Sequence, residues 1–368
     1  MRKKGNAPCE NVDRRPEPDC CGAPDDVVGS APAPSMEEAG RICRIALDGE
    51  TPSPAELAAM LEIEPGTPQA ALLDETALAL ARRGNGGLGY LYAQVGLDAG
   101  PCPGNCRYCD FAMCNQPATS AGADGVAGLP LDDVEHLCRL FADNGIHLVS
   151  LMSSAAYPFD LYLEAVRRAR AAMGPDVAIM ANTGDLSPQR ARDLREAGAF
   201  CIYHAVRVGE GTITGLPEER RWQTIDNALA AGLRLATAVG PLYRPEPEGS
   251  PYRQTKRAIV ERMLQVLRYD LVCGGVTKLH AVAGTKMAHV APWPADKLRV
   301  FGGVFNLAAH GRIRHGGGGS ILWADAGFDP RSRGYDGDDE ALVAKIALNR
   351  RALEASGWTP APQGAMTY

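Results

Sequence analysis

The stretch Gly100-Pro-Cys102-Pro-Gly-Asn-Cys106-Arg-Tyr-Cys109-Asp-Phe111 sets three cysteines at Cys-x3-Cys-x2-Cys spacing on one short loop broken by glycine and proline. Their thiolates can converge on one soft metal centre without help from the rest of the chain. A [4Fe-4S] cube is the natural occupant. Most such clusters take four cysteines, so three leave one iron with an open position for a small chelating ligand. Cys114, five residues after Cys109, keeps two other readings open: a four-cysteine zinc knot and a ferredoxin-like cluster. Zinc sites generally come as two paired ligand groups, and no matching Cys/His pair follows downstream. Cys114 reads instead as a small apolar residue.

Around this loop the chain alternates between strand and helix patterns. Gly89 to Val95 reads as a strand feeding directly into the cysteines, followed by Ile146 to Met152, Val177 to Ala181, Phe200 to Val206, Leu233 to Val239 and Val276 to Val282. Amphipathic segments lie between them: Leu131 to Asn144, Asp160 to Met173, Ser187 to Ala197, Arg220 to Ala231 and Thr255 to Tyr269. Such alternation calls for parallel strands joined by helical crossovers, either as a closed or incomplete (β/α) barrel or as an open doubly wound sheet. Both put active sites at the carboxyl edge of the strands, where the cysteine loop emerges. Ser187-Pro188 is a helix start, with Ser as cap and Pro at the first helical position. That puts Asn182 to Asp185 at a strand tip.

Before the barrel pattern, residues 1–35 are rich in Pro, Asp, Gly and Ala without hydrophobic period and read as a disordered tail. Cys9, Cys20 and Cys21 in it read as unpartnered thiols. Residues 36–85 read as an N-terminal helical extension capping one end of the main domain, with apolar spacing in Met36 to Leu47, Ala55 to Leu61 and Asp74 to Arg83. The chain has 368 residues and a formal net charge of -6, and its only basic cluster is the short Met1-Arg-Lys-Lys4 start. Nothing here suggests a nucleic-acid surface. No run approaches the roughly 18 to 20 apolar residues of a membrane span, and no signal-peptide core follows the basic start. Eleven cysteines in so long a chain do not imply disulfides. The expectation is a cytoplasmic protein acting on a small soluble molecule.

The cysteine spacing, with aromatic Tyr108 before the third cysteine, resembles the radical S-adenosylmethionine (SAM) superfamily. The resemblance implies that the open iron takes the amino and carboxylate groups of SAM. An electron from a donor such as flavodoxin or ferredoxin then cleaves the sulfonium to a 5′-deoxyadenosyl radical. Further stretches carry the resemblance toward the biotin synthase-like branch. Tyr108 matches the aromatic beside the adenine. Met152-Ser-Ser-Ala-Ala156 falls where the family places a small-residue motif receiving the SAM amino group, although it departs from the commoner Gly-Gly-Glu form; Ser153 or Ser154 would act there. Ala205-Val-Arg207-Val-Gly-Glu210 resembles an Arg-x-Glu signature one residue longer, implying Arg207 on the SAM carboxylate and Glu210 on the ammonium or a ribose hydroxyl. Gly284-Thr285 resembles a turn that approaches adenine. Gly316 to Arg331, with Asp329 in an Asn place, looks like the closing part of a biotin and thiamin synthesis-associated region. The implied fold is a TIM-type barrel, complete or partial, over residues 86–355, with 356–368 as a C-terminal tail.

Biotin synthase itself holds a second cluster as its sulfur source through cysteines on successive strands. Met152 and Met180 stand where two of those would be needed, and the fifth strand has none. Cys201 and Cys273 cannot remake that site, so sulfur insertion is disfavoured. The resemblance then points to methylornithine synthase, the hydrogenase-maturation radical enzyme and related proteins that abstract hydrogen from small molecules. Tyr157, Asn182, Asp185, His204 and His280, each near a strand end, are candidates for substrate binding. Two alternatives stay open: a radical methyl or group transferase, and a non-catalytic iron-sulfur or zinc protein closed by Cys114.

Overall fold

In the computed structural model, which describes residues 32–116, 128–313, 321–327 and 337–366, strand and helix alternate as the pattern requires. The elements are α1 (Met36–Leu47), α2 (Pro54–Met60), α3 (Pro68–Asn85), β1 (Leu88–Gly96), α4 (Leu131–Asp143), β2 (Leu148–Met152), α5 (Phe159–Met173), β3 (Ala178–Asn182) and α6 (Pro188–Ala197). They continue with β4 (Cys201–Tyr203), α7 (Glu218–Ala230), β5 (Arg234–Leu242), α8 (Lys256–Val266), β6 (Leu271–Lys278), α9 (Ala295–Ala309), β7 (Ile321–Gly327), α10 (Asp339–Ala355) and β8 (Thr359–Pro360). Cys9, Cys20 and Cys21 lie outside the described residues, as do most of residues 1–35, the glycine run 316–319 and Asp329.

The seven main strands pair in the order β6-β5-β4-β3-β2-β1-β7, all parallel. A doubly wound sheet reverses its strand order at a switch point; here the order runs on without reversal and the last main strand lies beside the first. Tyr92 of β1 faces Leu148 on one side and Trp323 of β7 on the other. The sheet therefore curls into a partial (β/α) barrel, open between β6 and β7 among the described residues. Parallel strands covered on both faces read as continuous apolar runs, and β1 is buried from Gly89 through Gly96. Its residues alternate between two layers. Leu91, Ala93 and Val95 pack outward under the helices, while Tyr90 and Tyr92 point into the barrel with Met180, Cys201 and Ala236.

Local chemistry sets the helix starts. Ser35 and Ser53 form capping boxes with Glu38 and Glu56, and Ser187 accepts the Arg190 N–H at α6. The first three helices pack against α8 and α9. Lys297 of α9, buried at that seam, donates to the Ile63 carbonyl at 2.6 Å and pairs with Glu64 at 2.9 Å. The segment read as a C-terminal tail is also part of the fold. β8 pairs with the start of β1, Trp358 is buried, and Ala361 and Met366 fill the amino end of the barrel interior. A two-residue strand that ends in proline has no period to read. No helix of the described residues is long and apolar enough to cross a membrane.

Candidate functional site

The cysteine loop is folded on itself by its own backbone. Cys102 N–H donates to the Phe111 carbonyl at 2.7 Å, Met113 N–H to the Cys102 carbonyl at 3.0 Å, and Cys109 N–H to the Cys106 carbonyl at 3.0 Å. Asn105 takes a left-handed φ of 46°, which Asn tolerates better than most residues. Its side-chain oxygen accepts the Cys114 N–H at 3.0 Å. Asn115 donates to the carbonyls of Cys106 and Cys109, at 3.2 and 2.7 Å. The loop is tied to the chain beyond β4 by Arg107 N–H on the Ile213 carbonyl and Gly215 N–H on the Gly104 carbonyl. So held, Cys102, Cys106 and Cys109 all line one cavity of about 550 Å³ at the carboxyl end of the sheet. Cys114 does not: its thiol faces the Asn105 carbonyl at 3.8 Å.

Cations stand on other walls of the same cavity. Arg207 lies over the Tyr108 ring, 6.0 Å from its centre, with Nη1 3.4 Å from Glu210. The Glu210 side chain is fully enclosed and accepts the Arg207 N–H at 2.9 Å and the Thr214 hydroxyl at 2.6 Å. It does not line the cavity; it holds Arg207 in place. Arg221, on the first turns of α7, is buried and lines the cavity. Its Nη1 donates to Asp185 at 2.6 Å, and Nε and Nη2 donate to the Ala205 carbonyl at 3.3 and 3.2 Å. His204 lies behind them, 2% exposed, with Nε2 3.5 Å from Asp185. Burial and the nearby Arg221 and Arg207 charges hold its pKa well below the ordinary histidine value, so it is neutral.

The cavity thus brings together Tyr108, Ser153, Ser154, Asn182, Arg207 and His280 with the three cysteines. It leaves out five residues expected there. Glu210 and Asp185 face the arginines, His204 is enclosed behind the wall, Tyr157 packs against the outer core, and Gly284 (φ 85°) sits on a turn away from the lining. Sequence reasoning missed several lining residues, the charged Asp98, Arg221 and Lys278 among them. Arg221 sits in Glu-Glu-Arg-Arg, which reads as a solvated helix face, and only its burial separates it from Arg220. Strand β4 also ends at Tyr203 and β6 at Lys278, earlier than read, so Arg207 and His280 are carried by loops.

The donor set around the thiols fits an iron-sulfur cluster. Backbone amides of Gly104 and Ala155 address Cys102 sulfur, and that of Phe111 addresses Cys109, as hydrogen bonds that favour thiolate. Burial works against ionisation, raising Cys102 and pushing Cys109 up to about 12. Binding metal at thiolates there therefore releases protons. Among the described residues no three His, Cys, Asp or Glu side chains converge as a single ion requires. Three thiols of one loop bordering one cavity are a donor set for a [4Fe-4S] cluster that keeps one iron open.

No family model matches the chain. It is 27% identical over 288 residues to a biotin synthase of Desulforudis audaxviator, covering 75% of this chain and 82% of that protein. It is 24% identical over 260 residues to a biotin synthase of Acetivibrio thermocellus, covering 68% and 74%. The fold is shared with methylornithine synthase (PylB), at a TM-score of 0.67 and 15% identity over 89% of this chain and 99% of that one. It is also shared with the FeFe-hydrogenase maturase HydG of Carboxydothermus hydrogenoformans, at 0.65 and 14% over 90% and 81%.

Proposed function

From its kinship with the biotin synthase-like branch of the radical SAM superfamily, we propose that this chain holds a [4Fe-4S] cluster on Cys102, Cys106 and Cys109. It binds S-adenosylmethionine beside the cluster and abstracts hydrogen from a small molecule in cofactor or natural-product biosynthesis. The observation that carries this reading is the shared wall: three thiols of one loop border the same cavity as two fixed guanidinium groups. When bound and reduced, the cluster and SAM supply a 5′-deoxyadenosyl radical.

The protein's part is orientation and exclusion of water. Arg207 and Arg221 are planar forks suited to a carboxylate, and each is pre-aimed, the first by Glu210 and the second by Asp185 and the Ala205 carbonyl. Preset geometry lowers the ordering cost of binding. Tyr108, stacked with Arg207 and packed near Ile213, Tyr243 and Met287, offers a ring face to the adenine. Asn182, Lys278 and His280 remain for the substrate. Beneath the cavity, Tyr92, Met180 and Cys201 form an apolar floor that keeps solvent out.

Sulfur insertion is not part of this proposal. By the resemblance, Met152 and Met180 stand where a second cluster would need thiols, and Cys201 and Cys273 lie near buried Tyr92 in the apolar interior. The chain would draw its electron from a soluble donor such as flavodoxin or ferredoxin in the reducing cytoplasm. Anaerobic reconstitution tests the proposal. About four irons per chain and release of 5′-deoxyadenosine on reduction are expected, with the methyl group of labelled SAM recovered in methionine. Failure of both iron binding and SAM cleavage overturns it; label in the product turns it into group transfer.

A further inference from the structure

Asp98 borders the cavity beside Cys102 and has no part in the cysteine or arginine contacts of the site. It lies two residues past the end of β1 and is 2% exposed. Its two carboxylate oxygens are in unequal surroundings. Oδ1 accepts the Ser154 N–H at 2.6 Å, while Oδ2 is enclosed and has no hydrogen-bond partner. A buried carboxylate oxygen without a donor is strongly unfavourable. It marks the place of a positively charged donor that arrives with a ligand.

The position of Asp98 says which ligand. β1 and β2 run parallel with Gly96 opposite Met152, so Asp98 stands opposite Ser154, two residues further along each chain. Met152 to Ala156 is the stretch where the resemblance implies receipt of the SAM amino group, and it holds no acid of its own. The acid bonded to that stretch comes from the neighbouring strand end. We propose that Asp98 receives the ammonium group of S-adenosylmethionine through Oδ2, supplying from β1 the carboxylate that the tip of β2 lacks. The Ser154 N–H fixes Oδ1 and so aims Oδ2. This assignment rests on the reading that the cavity holds SAM, and it adds a binding residue to it.

The test uses anaerobically reconstituted wild type and Asp98→Asn, which keeps an Oδ1 acceptor for Ser154 and removes the charge. Iron content and the dissociation constants of two probes are measured by equilibrium dialysis: SAM, and its analogue with hydrogen in place of the α-amino group. Unchanged iron is expected, with SAM bound about 10- to 100-fold more weakly by the variant and the analogue bound equally by both proteins. Unchanged SAM affinity in Asp98→Asn overturns the proposal. Equal weakening for SAM and analogue overturns it too, because the effect is then structural. Should Asp98→Asn take up no iron, Asp98→Glu against Asp98→Gln gives the same comparison, the charged variant being expected to bind SAM more tightly. A wild type that binds neither iron nor SAM sinks the cofactor reading itself, a result distinct from any difference between variants.

Discussion

Cys106 and Cys114 sit eight positions apart and have opposite surroundings, the first on the cavity wall and the second against the Asn105 carbonyl. Each of Cys102→Ser, Cys106→Ser and Cys109→Ser is expected to lose most of the iron after reconstitution. Cys114→Ala is expected to keep it, and iron analysis with the visible absorption of the cluster checks both. A structural four-cysteine site requires the reverse for Cys114. Single residues also show where reading by type stops. Glu210 and Asp185 are acids near a site, and both were read as ligands to cofactor or substrate. Each pairs with an arginine that faces the cavity. Sequence spacing says which charges are near a strand end, but the direction each points is set by what packs behind it.

At the scale of elements, β5 and β6 approach closely where they border the cavity. A Cβ built on Gly240 would collide with the Thr277 hydroxyl and lie 2.5 Å from the Thr277 carbonyl oxygen. The obstacle is backbone and cannot swing aside. Gly240→Ala is expected to destabilise the fold by about 1–3 kcal/mol through overpacking. Gly275→Ala on β6, with nothing within 4 Å of the new methyl, serves as the control with a small effect; thermal unfolding of the two variants separates them. The helices were legible because their starts are chemical, as with Ser187 and Pro188 at α6. Strand ends were less so. β6 begins at Leu271, five residues before the expected Val276, because Gly274 and Gly275 interrupt the apolar pattern that marks a strand.

Across the whole molecule, His147 joins the first main strand to the end of the chain. Its Nδ1 accepts the Leu91 N–H at 3.0 Å, so Nε2 carries the proton and donates to the Ala361 carbonyl at 2.8 Å. Burial lowers its pKa below the ordinary value. The unfolded chain therefore binds a proton more readily than the folded one. The stabilisation is complete above about pH 6.5 and is lost as pH falls from there toward the folded value. His204, depressed for the same first reason, acts in the same direction. The unfolding temperature is expected to drop between pH 7.5 and 5.5, and to drop less steeply in His147→Gln, as followed by circular dichroism. A parallel slope in the variant would remove His147 from this account.

Sequence alone determined the parallel strand-and-helix alternation, the helix starts and the trio of thiols on one loop, because period, caps and ligand spacing are local along the chain. The alternation by itself fits barrel and open sheet alike, and only the family resemblance pointed to a barrel, complete or partial. Only the tertiary structure decided that the sheet curls, with β7 beside β1, since that pairing joins segments more than two hundred residues apart. The same holds for the cavity wall. Arg221 became a lining residue and His204 an enclosed one through packing between α7 and the strand ends, and Asp98 met Ser154 because two neighbouring strands share a register. Contacts made across elements have no period in the sequence, and the site is built from them.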